Sequence, residues 1–165
     1  MTIPLPSAIL FICMGNICRS PTVEAVARRR FADAGLRIEV ASAGTEDYHV
    51  GDGADRRSVC HAEARGYALG AHRARQVEAA DFTRYDHLLV MDRVNLNALL
   101  ARAPRTGRDR VALFLPFAGV PGIEELPDPY YGDAAGFEYA LDLAETGVDA
   151  LVNSWLGHNR PSPRA

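Results

Sequence analysis

The chain has 165 residues, 48% hydrophobic and 24% charged, with a formal net charge of −3 at pH 7. That length and apolar content suffice for one continuous core, so a single domain is expected. The mild net charge speaks against nucleic acid as a partner, since the Arg28-Arg29-Arg30 run reads as the solvated face of a helix, and no apolar stretch reaches the ~18–20 residues of a membrane span.

The opening stretch "MTIPLPSAILFI" carries no basic leader, and Cys13, Cys18 and Cys60 are an odd number of cysteines. A cytoplasmic location with reduced thiols is therefore expected. Cys13 and Cys18 have no second close Cys/His pair to complete a zinc site, because His61 and His72 stand alone, so neither a metal nor another cofactor is expected.

In chain order, the apolar run Ala8–Cys13 reads as a strand, followed by a short loop and a helix over Pro21–Ala34 that Gly35 closes. A second strand is expected over Arg37–Ser42, then a helix over about Gly53–Arg65 ending at Gly66. A third strand over His87–Met91 leads to a helix over Val94–Arg102, with Pro104 just beyond it. A fourth strand, Val111–Leu115, is followed by the Pro/Gly-punctuated stretch "FAGVPGIEELPDPYYGD", long enough to read as a functional loop, and a last helix spans Phe137–Leu156. No strand alternates strictly, so each is expected to be buried on both faces. Strand alternating with helix predicts an α/β fold: a single-domain, doubly wound, four-stranded parallel sheet flanked by helices, with right-handed crossovers. The domain is expected to span residues 1–160, leaving 161–165 as a flexible tail.

In an open parallel sheet, ligands bind beyond the carboxyl ends of the strands, and Cys13 lies at the first such end. Ser20 is a good N-cap and Pro21 suits a first helical turn, so the helix is expected to begin just after Arg19. The residues between would form a tight loop whose N–H groups turn inward beside the positive end of a helix dipole, making an anion cradle. Gly15 and Asn16 tolerate the left-handed backbone that such a loop needs, and Arg19 can hold two phosphate oxygens in a fork. Donors and positive charge favour a thiolate, which makes Cys13 a candidate nucleophile.

The loop lacks the Gly-Lys-Ser/Thr ending of nucleoside triphosphate sites; cysteine and arginine bracket it instead, a pairing suited to attack on phosphorus. Asp128, flanked by prolines, is the candidate acid for the departing oxygen, although Asp-Pro is also a simple turn former.

"CMGNICRSP" together with the late "DPYYGD" resembles the low-molecular-weight protein tyrosine phosphatases, from about Ile9 to the final helix. "SAGT" at Ser42–Thr45, "HRARQ" at His72–Gln76 and "MDRVN" at Met91–Asn95 are similar to family segments in the same order. The resemblance implies Cys13 as nucleophile, Arg19 as phosphate binder and Asp128 as acid, with Met14, Gly15, Asn16, Ile17, Cys18 and Arg19 forming the phosphate-binding loop. It also implies that Asn16, Ser20 and Ser42 brace this loop, with the Ser20 hydroxyl assisting the thiolate as leaving group. Cys18 resembles the family's second loop cysteine, which forms a reversible disulfide with the nucleophile and shields it from irreversible oxidation. Ile17, Tyr48, Tyr130 and Tyr131 would wall the slot for the substrate ring. Tyr48 stands where some members carry tryptophan and Met14 where a small or β-branched residue is commoner, which bears on substrate preference.

Blander readings stand beside these. Cys18 could simply fill space under the loop, Cys60 is expected to be buried on its helix, His72 reads as a structural histidine, and Asp92 could cap the helix after its strand. The activity expected from the resemblance is hydrolysis of phosphotyrosine monoesters in proteins through phosphocysteine, without a metal. Tyrosine-phosphorylated proteins are then the partners, with a tyrosine kinase acting on Tyr130 or Tyr131 as a further candidate. Three alternatives share the scaffold. Arsenate reduction would relay oxidation to a further cysteine pair, and only Cys60 lies outside the loop; protein arginine phosphatases favour threonine where Ile17 stands; a phosphotyrosine-binding module would have lost its catalytic residues.

Overall fold

Six consecutive apolar residues offer no polar face to water, and Ala8–Cys13 forms an inner strand, β1, with all six side chains buried. The computed structural model describes residues 3–159; the expected domain limit at residue 160 and the tail over 161–165 lie outside them. The elements that follow β1 are α1 (Arg19–Asp33), β2 (Glu39–Gly44), α2 (Arg56–Ala64), α3 (Asp81–Arg84), β3 (His87–Val90), α4 (Arg93–Arg102), a 3-10 turn (Arg108–Arg110), β4 (Val111–Leu113), α5 (Phe114–Ala118) and α6 (Ala134–Asn159).

All strand pairs are parallel and the sheet order is β2-β1-β3-β4, the α/β arrangement the sequence predicts. Cys13 pairs with Gly44 of β2, and Ile12 pairs with Val90 of β3. The chain leaves β1 toward β2 on one side and reaches β3 on the other, so a crevice opens beyond the carboxyl end of β1.

The apolar run of β1 is shared between two cores. Ile9, Phe11 and Cys13 face a layer with Val23, Val26 and Phe31 of α1 and Ala144, Val148, Leu151 and Trp155 of α6. Ala8, Leu10 and Ile12 face the opposite layer, with Phe82, Tyr85 and Leu99. The two-residue period of a strand produces this division, and burial on both faces explains why no polar residue interrupts the run.

The structure departs from the sequence reading at several points, among them helix α6, which runs over Ala134–Asn159 rather than Phe137–Leu156, and α2, which runs over Arg56–Ala64 rather than about Gly53–Arg65. Strand β2 begins two residues later than expected and reaches Gly44, which carries it up to the loop after β1. Strand β4 ends at Leu113, because Phe114 and Leu115 turn into α5, where the Phe114 ring sits edge-on to Phe11 at 5.6 Å. Helix α3 has four residues, too few to show a period in sequence; Arg75 forks onto its Asp81 at 2.9 and 3.1 Å. Cys60 is exposed rather than buried, since α2 turns Ser58 and Ala62, one turn apart, toward the interior.

Candidate active site

The loop from Cys13 to Arg19 is held by its carbonyl groups. The Cys13 carbonyl accepts from Thr45 N–H at 2.9 Å, Met14 from Glu46 N–H at 3.0 Å, Ile17 from Asp55 N–H at 2.8 Å, and Cys18 from the Thr22 hydroxyl at 2.7 Å. His72 Nε2 lies 2.7 Å from the Asn16 carbonyl oxygen. These contacts engage five of the loop's carbonyls with the surrounding segments and fix it in a tight conformation at the start of α1.

Asn16 is the centre of this bracing. It has φ 58°, within the left-handed region that asparagine tolerates better than most residues. Its Nδ2 donates to Ser20 Oγ at 2.8 Å and Ser42 Oγ at 2.9 Å, its Oδ1 accepts from Arg75 N–H at 3.0 Å, and the Ser42 hydroxyl donates onward to Glu24 at 2.7 Å.

Two local expectations are corrected. Helix α1 begins at Arg19 with Cys18 at the cap position, so Ser20 lies inside the first turn instead of capping it. Its hydroxyl serves the site, 3.0 Å from Cys13 Sγ. Asn16 alone, among the described non-glycine residues, has positive φ, and Gly15 is not among the left-handed glycines. An added Cβ at Gly15 would stand 3.0 Å from the His49 ring, a tight contact that this partly exposed side chain would have to yield to.

Gly44 is held by a firmer constraint. An added Cβ would lie 2.6 Å from the Met14 carbonyl oxygen and 3.2 Å from the Gly15 carbonyl carbon, both backbone atoms of the loop. Gly44→Ala is expected to destabilise the fold by about 1–3 kcal/mol in urea melts and to raise KM by displacing the loop; unchanged stability and KM would contradict this account.

Arg19, only 4% exposed, closes the loop. Its Nη1 donates to Asp92 Oδ2 at 2.6 Å and to the Leu126 carbonyl at 3.1 Å, and its Nη2 lies 3.7 Å from Asp128 Oδ2. Burial pulls the guanidinium pKa down, but the charges of Cys13, Asp92 and Asp128 outweigh burial and leave it above its ordinary value. Asp92 does two jobs: Oδ1 caps α4 by accepting from Asn95 N–H at 2.8 Å while Oδ2 orients Arg19.

Cys18 is buried, and burial pushes its thiol up to about 12 despite a hydrogen bond with Ser58 that acts the other way; the charges of Asp55, Cys13 and Asp128 push it in the same direction as burial. At neutral pH it is a protonated thiol.

These residues line one pocket of about 220 Å³, formed by Cys13, Met14, Gly15, Ile17, Cys18, Arg19, Tyr48, His49, Asp128, Tyr130 and Tyr131. Its floor is the loop and its rim is aromatic: Tyr48 is 70% and Tyr131 95% exposed, and Tyr130, half-buried, meets Tyr131 edge-on at 4.9 Å. Asp128 stands at the rim with Oδ1 accepting from Tyr130 N–H at 3.1 Å. Asn16, Ser20 and Ser42 are buried behind the loop rather than in the pocket. Sequence reasoning missed His49, which joins the lining, and the contacts that His72 and Arg75 make with Asn16.

A four-stranded parallel sheet flanked by helices, with a pocket built on the loop after its first strand, defines an α/β protein with its candidate site at the carboxyl ends of the strands. A family model described as Low molecular weight phosphotyrosine protein phosphatase matches residues 8–160, and the chain belongs to that family of hydrolases. It is 41% identical over 150 residues to a low molecular weight protein-tyrosine-phosphatase of Streptomyces coelicolor, covering 87% of this chain and 90% of the relative. It is 35% identical over 145 residues to a low molecular weight phosphotyrosine protein phosphatase of Saccharomyces cerevisiae, covering 84% and 89%. The crystal structure of a low molecular weight phosphotyrosine phosphatase from Vibrio cholerae O395 superposes with a TM-score of 0.86 at 34% identity, covering 93% of this chain and 99% of that one. Among the described residues, no helix is long and apolar enough to cross a membrane.

Proposed function

We propose that this chain hydrolyses phosphotyrosine monoesters in proteins through a phosphocysteine intermediate, with Asp128 as general acid. The observation that carries the reading is the position of Cys13 Sγ at the head of the braced loop, 3.0 Å from Ser20 Oγ. Asn16 Nδ2 donates to that same hydroxyl oxygen at 2.8 Å, so the one Ser20 proton has two acceptors, Cys13 Sγ at 3.0 Å and the Ala43 carbonyl at 3.5 Å, and in this mechanism the nearer sulfur, once negatively charged, takes it.

The phosphate dianion enters the loop, where inward N–H groups and Arg19 hold its equatorial oxygens. The thiolate attacks phosphorus, the bond from phosphorus to the tyrosyl oxygen breaks, and Asp128 gives its proton to the departing oxygen. Water then attacks phosphocysteine, Asp128 accepts a proton from it, and the phosphorus–sulfur bond breaks to return the thiolate. The aromatic rim of Tyr48, Tyr130 and Tyr131 supports selection of an aryl ester long enough to reach the floor.

The decisive measurement is steady-state hydrolysis of matched phosphotyrosine, phosphoserine and phosphoarginine peptides with chelator present. Preference for phosphotyrosine is expected. Preference for phosphoarginine would replace this reading with an arginine phosphatase, and tight binding without phosphate release would replace it with a binding module. Asp128→Asn is expected to lower kcat/KM for phenyl phosphate about 10²-fold, the lower end of what a general acid contributes; a loss under about threefold would remove Asp128 from the mechanism.

A further inference from the structure

The segment carrying Asp128 has no helix or strand of its own between Leu126 and the start of α6, yet a general acid must be held to within a hydrogen bond of the departing oxygen. Its Leu126 end is tied down by the N–H donating to the Met91 carbonyl at 2.9 Å and by Arg19 on the Leu126 carbonyl. At the other end, the Tyr130 N–H fixes Asp128 Oδ1, so the position of Tyr130 determines where the carboxylate points.

We propose that Arg57 is a positioning residue for the acid: its guanidinium lies against Tyr130 and Phe137 and clasps the Asp128 segment to the phosphate loop. The guanidinium carbon is 5.4 Å from the Tyr130 ring centroid and 4.7 Å from that of Phe137, within the range of cation–π attraction. The arginine is fixed in turn by a fork onto Asp55, Nε to Oδ1 at 3.1 Å and Nη2 to Oδ2 at 3.0 Å. Asp55 is anchored to the loop itself, because its N–H donates to the Ile17 carbonyl at 2.8 Å. The series Ile17, Asp55, Arg57, Tyr130, Asp128 thus runs from the floor of the pocket to its rim.

Helix α2 has no use of its own for this side chain. A cation in its first turn opposes the helix dipole, and Asp55 already caps the helix through the Arg57 N–H at 2.9 Å. The geometry that Asp55 imposes aims the planar guanidinium at the two rings; a lysine ammonium would keep a cation near them but not the fork onto Asp55.

The inference rests on the acid role proposed for Asp128, and the test separates the two. Phenyl phosphate has a poor leaving group that needs a proton, whereas 2,4-dinitrophenyl phosphate departs as an anion. In Arg57→Ala, kcat/KM for phenyl phosphate is expected to fall about 10-fold and that for the dinitrophenyl ester by less than about 3-fold. Arg57→Lys should recover part of the loss, and Asp128→Asn should give the same discrimination more strongly. Equal losses on both esters in Arg57→Ala, or no loss on either, would overturn the clasp while a discriminating Asp128→Asn left the acid role intact. An Asp128→Asn variant that slows both esters alike would remove the acid assignment, and the clasp with it.

Discussion

Cys13→Ser is expected to lower aryl phosphate turnover by at least about 10⁴-fold, because a serine hydroxyl is a far weaker nucleophile at neutral pH than a thiolate, and the side chain that Cys13 Sγ meets among the described residues is the Ser20 hydroxyl, which is not a base. The substitution is nearly isosteric at a site 3% exposed, so the fold should be unaffected. The loop is held by carbonyl contacts and by Asn16, none of which uses the sulfur. Anion binding should therefore survive. Inorganic phosphate at about 100 times its Kd should stabilise the variant by about 2.7 kcal/mol, as it does the parent. Turnover above a hundredth of the parental rate would show that Cys13 is not the nucleophile, while loss of phosphate stabilisation would show that the sulfur holds the loop together.

The fold was legible in the sequence where burial leaves a simple mark. An unbroken run such as Ala8–Cys13 belongs to an inner strand because both faces need apolar side chains, and Gly35 and Gly66 end their helices with φ of 73° and 88°. Elements without a period were not legible. Phe114–Ala118 continues the apolar character of β4, and nothing in "FLPFA" says that the chain turns there into a helix whose Phe114 packs on Phe11. Cys60 was misplaced because cysteine is usually buried, whereas α2 has only a narrow buried stripe through Ser58 and Ala62.

The site was legible where residues are contiguous, and it blurred where contacts span the chain. The residues by themselves mark Asn16 only for its backbone tolerance; Ser42, 26 residues away, is joined to it through the family resemblance alone, and Arg75, 59 residues away, by neither. Ser20 illustrates a local rule overridden by tertiary structure: a serine before proline signals a cap, yet the hydroxyl is taken by Asn16 and Cys13. Asp92 carried one available signal, since it follows the carboxyl end of β3 as Cys13 ends β1, and neighbouring parallel strands deliver such residues to the same crevice. His49 carried none; it reaches the pocket from the segment after β2 and packs close to Gly15.

In the proposed mechanism Arg19 combines a structural and a chemical task, and two substitutions should separate them. With Nη1 committed to Asp92 and Leu126, an oxyanion must be met by the Nε and Nη2 edge, a planar pair that only arginine supplies. Arg19→Lys keeps a positive charge near Asp92 but cannot both hold that carboxylate and fork onto a phosphate. In urea melts it is expected to cost less stability than removing the charge altogether, yet to lower kcat/KM for aryl phosphates by about 10³-fold, the upper end for losing one oxyanion donor. Arg19→Ala should show the same loss of activity together with a larger loss of stability. Removing the guanidinium strands Asp92, whose side chain is 19% exposed, at a cost of about 3 kcal/mol, the low end for breaking a buried ion pair. Lysine retaining activity within tenfold of the parent would mean that a point charge suffices at this position and that the guanidinium serves Asp92 alone. Equal stability losses in the two variants would mean instead that the buried pairing depends on the shape of arginine rather than its charge.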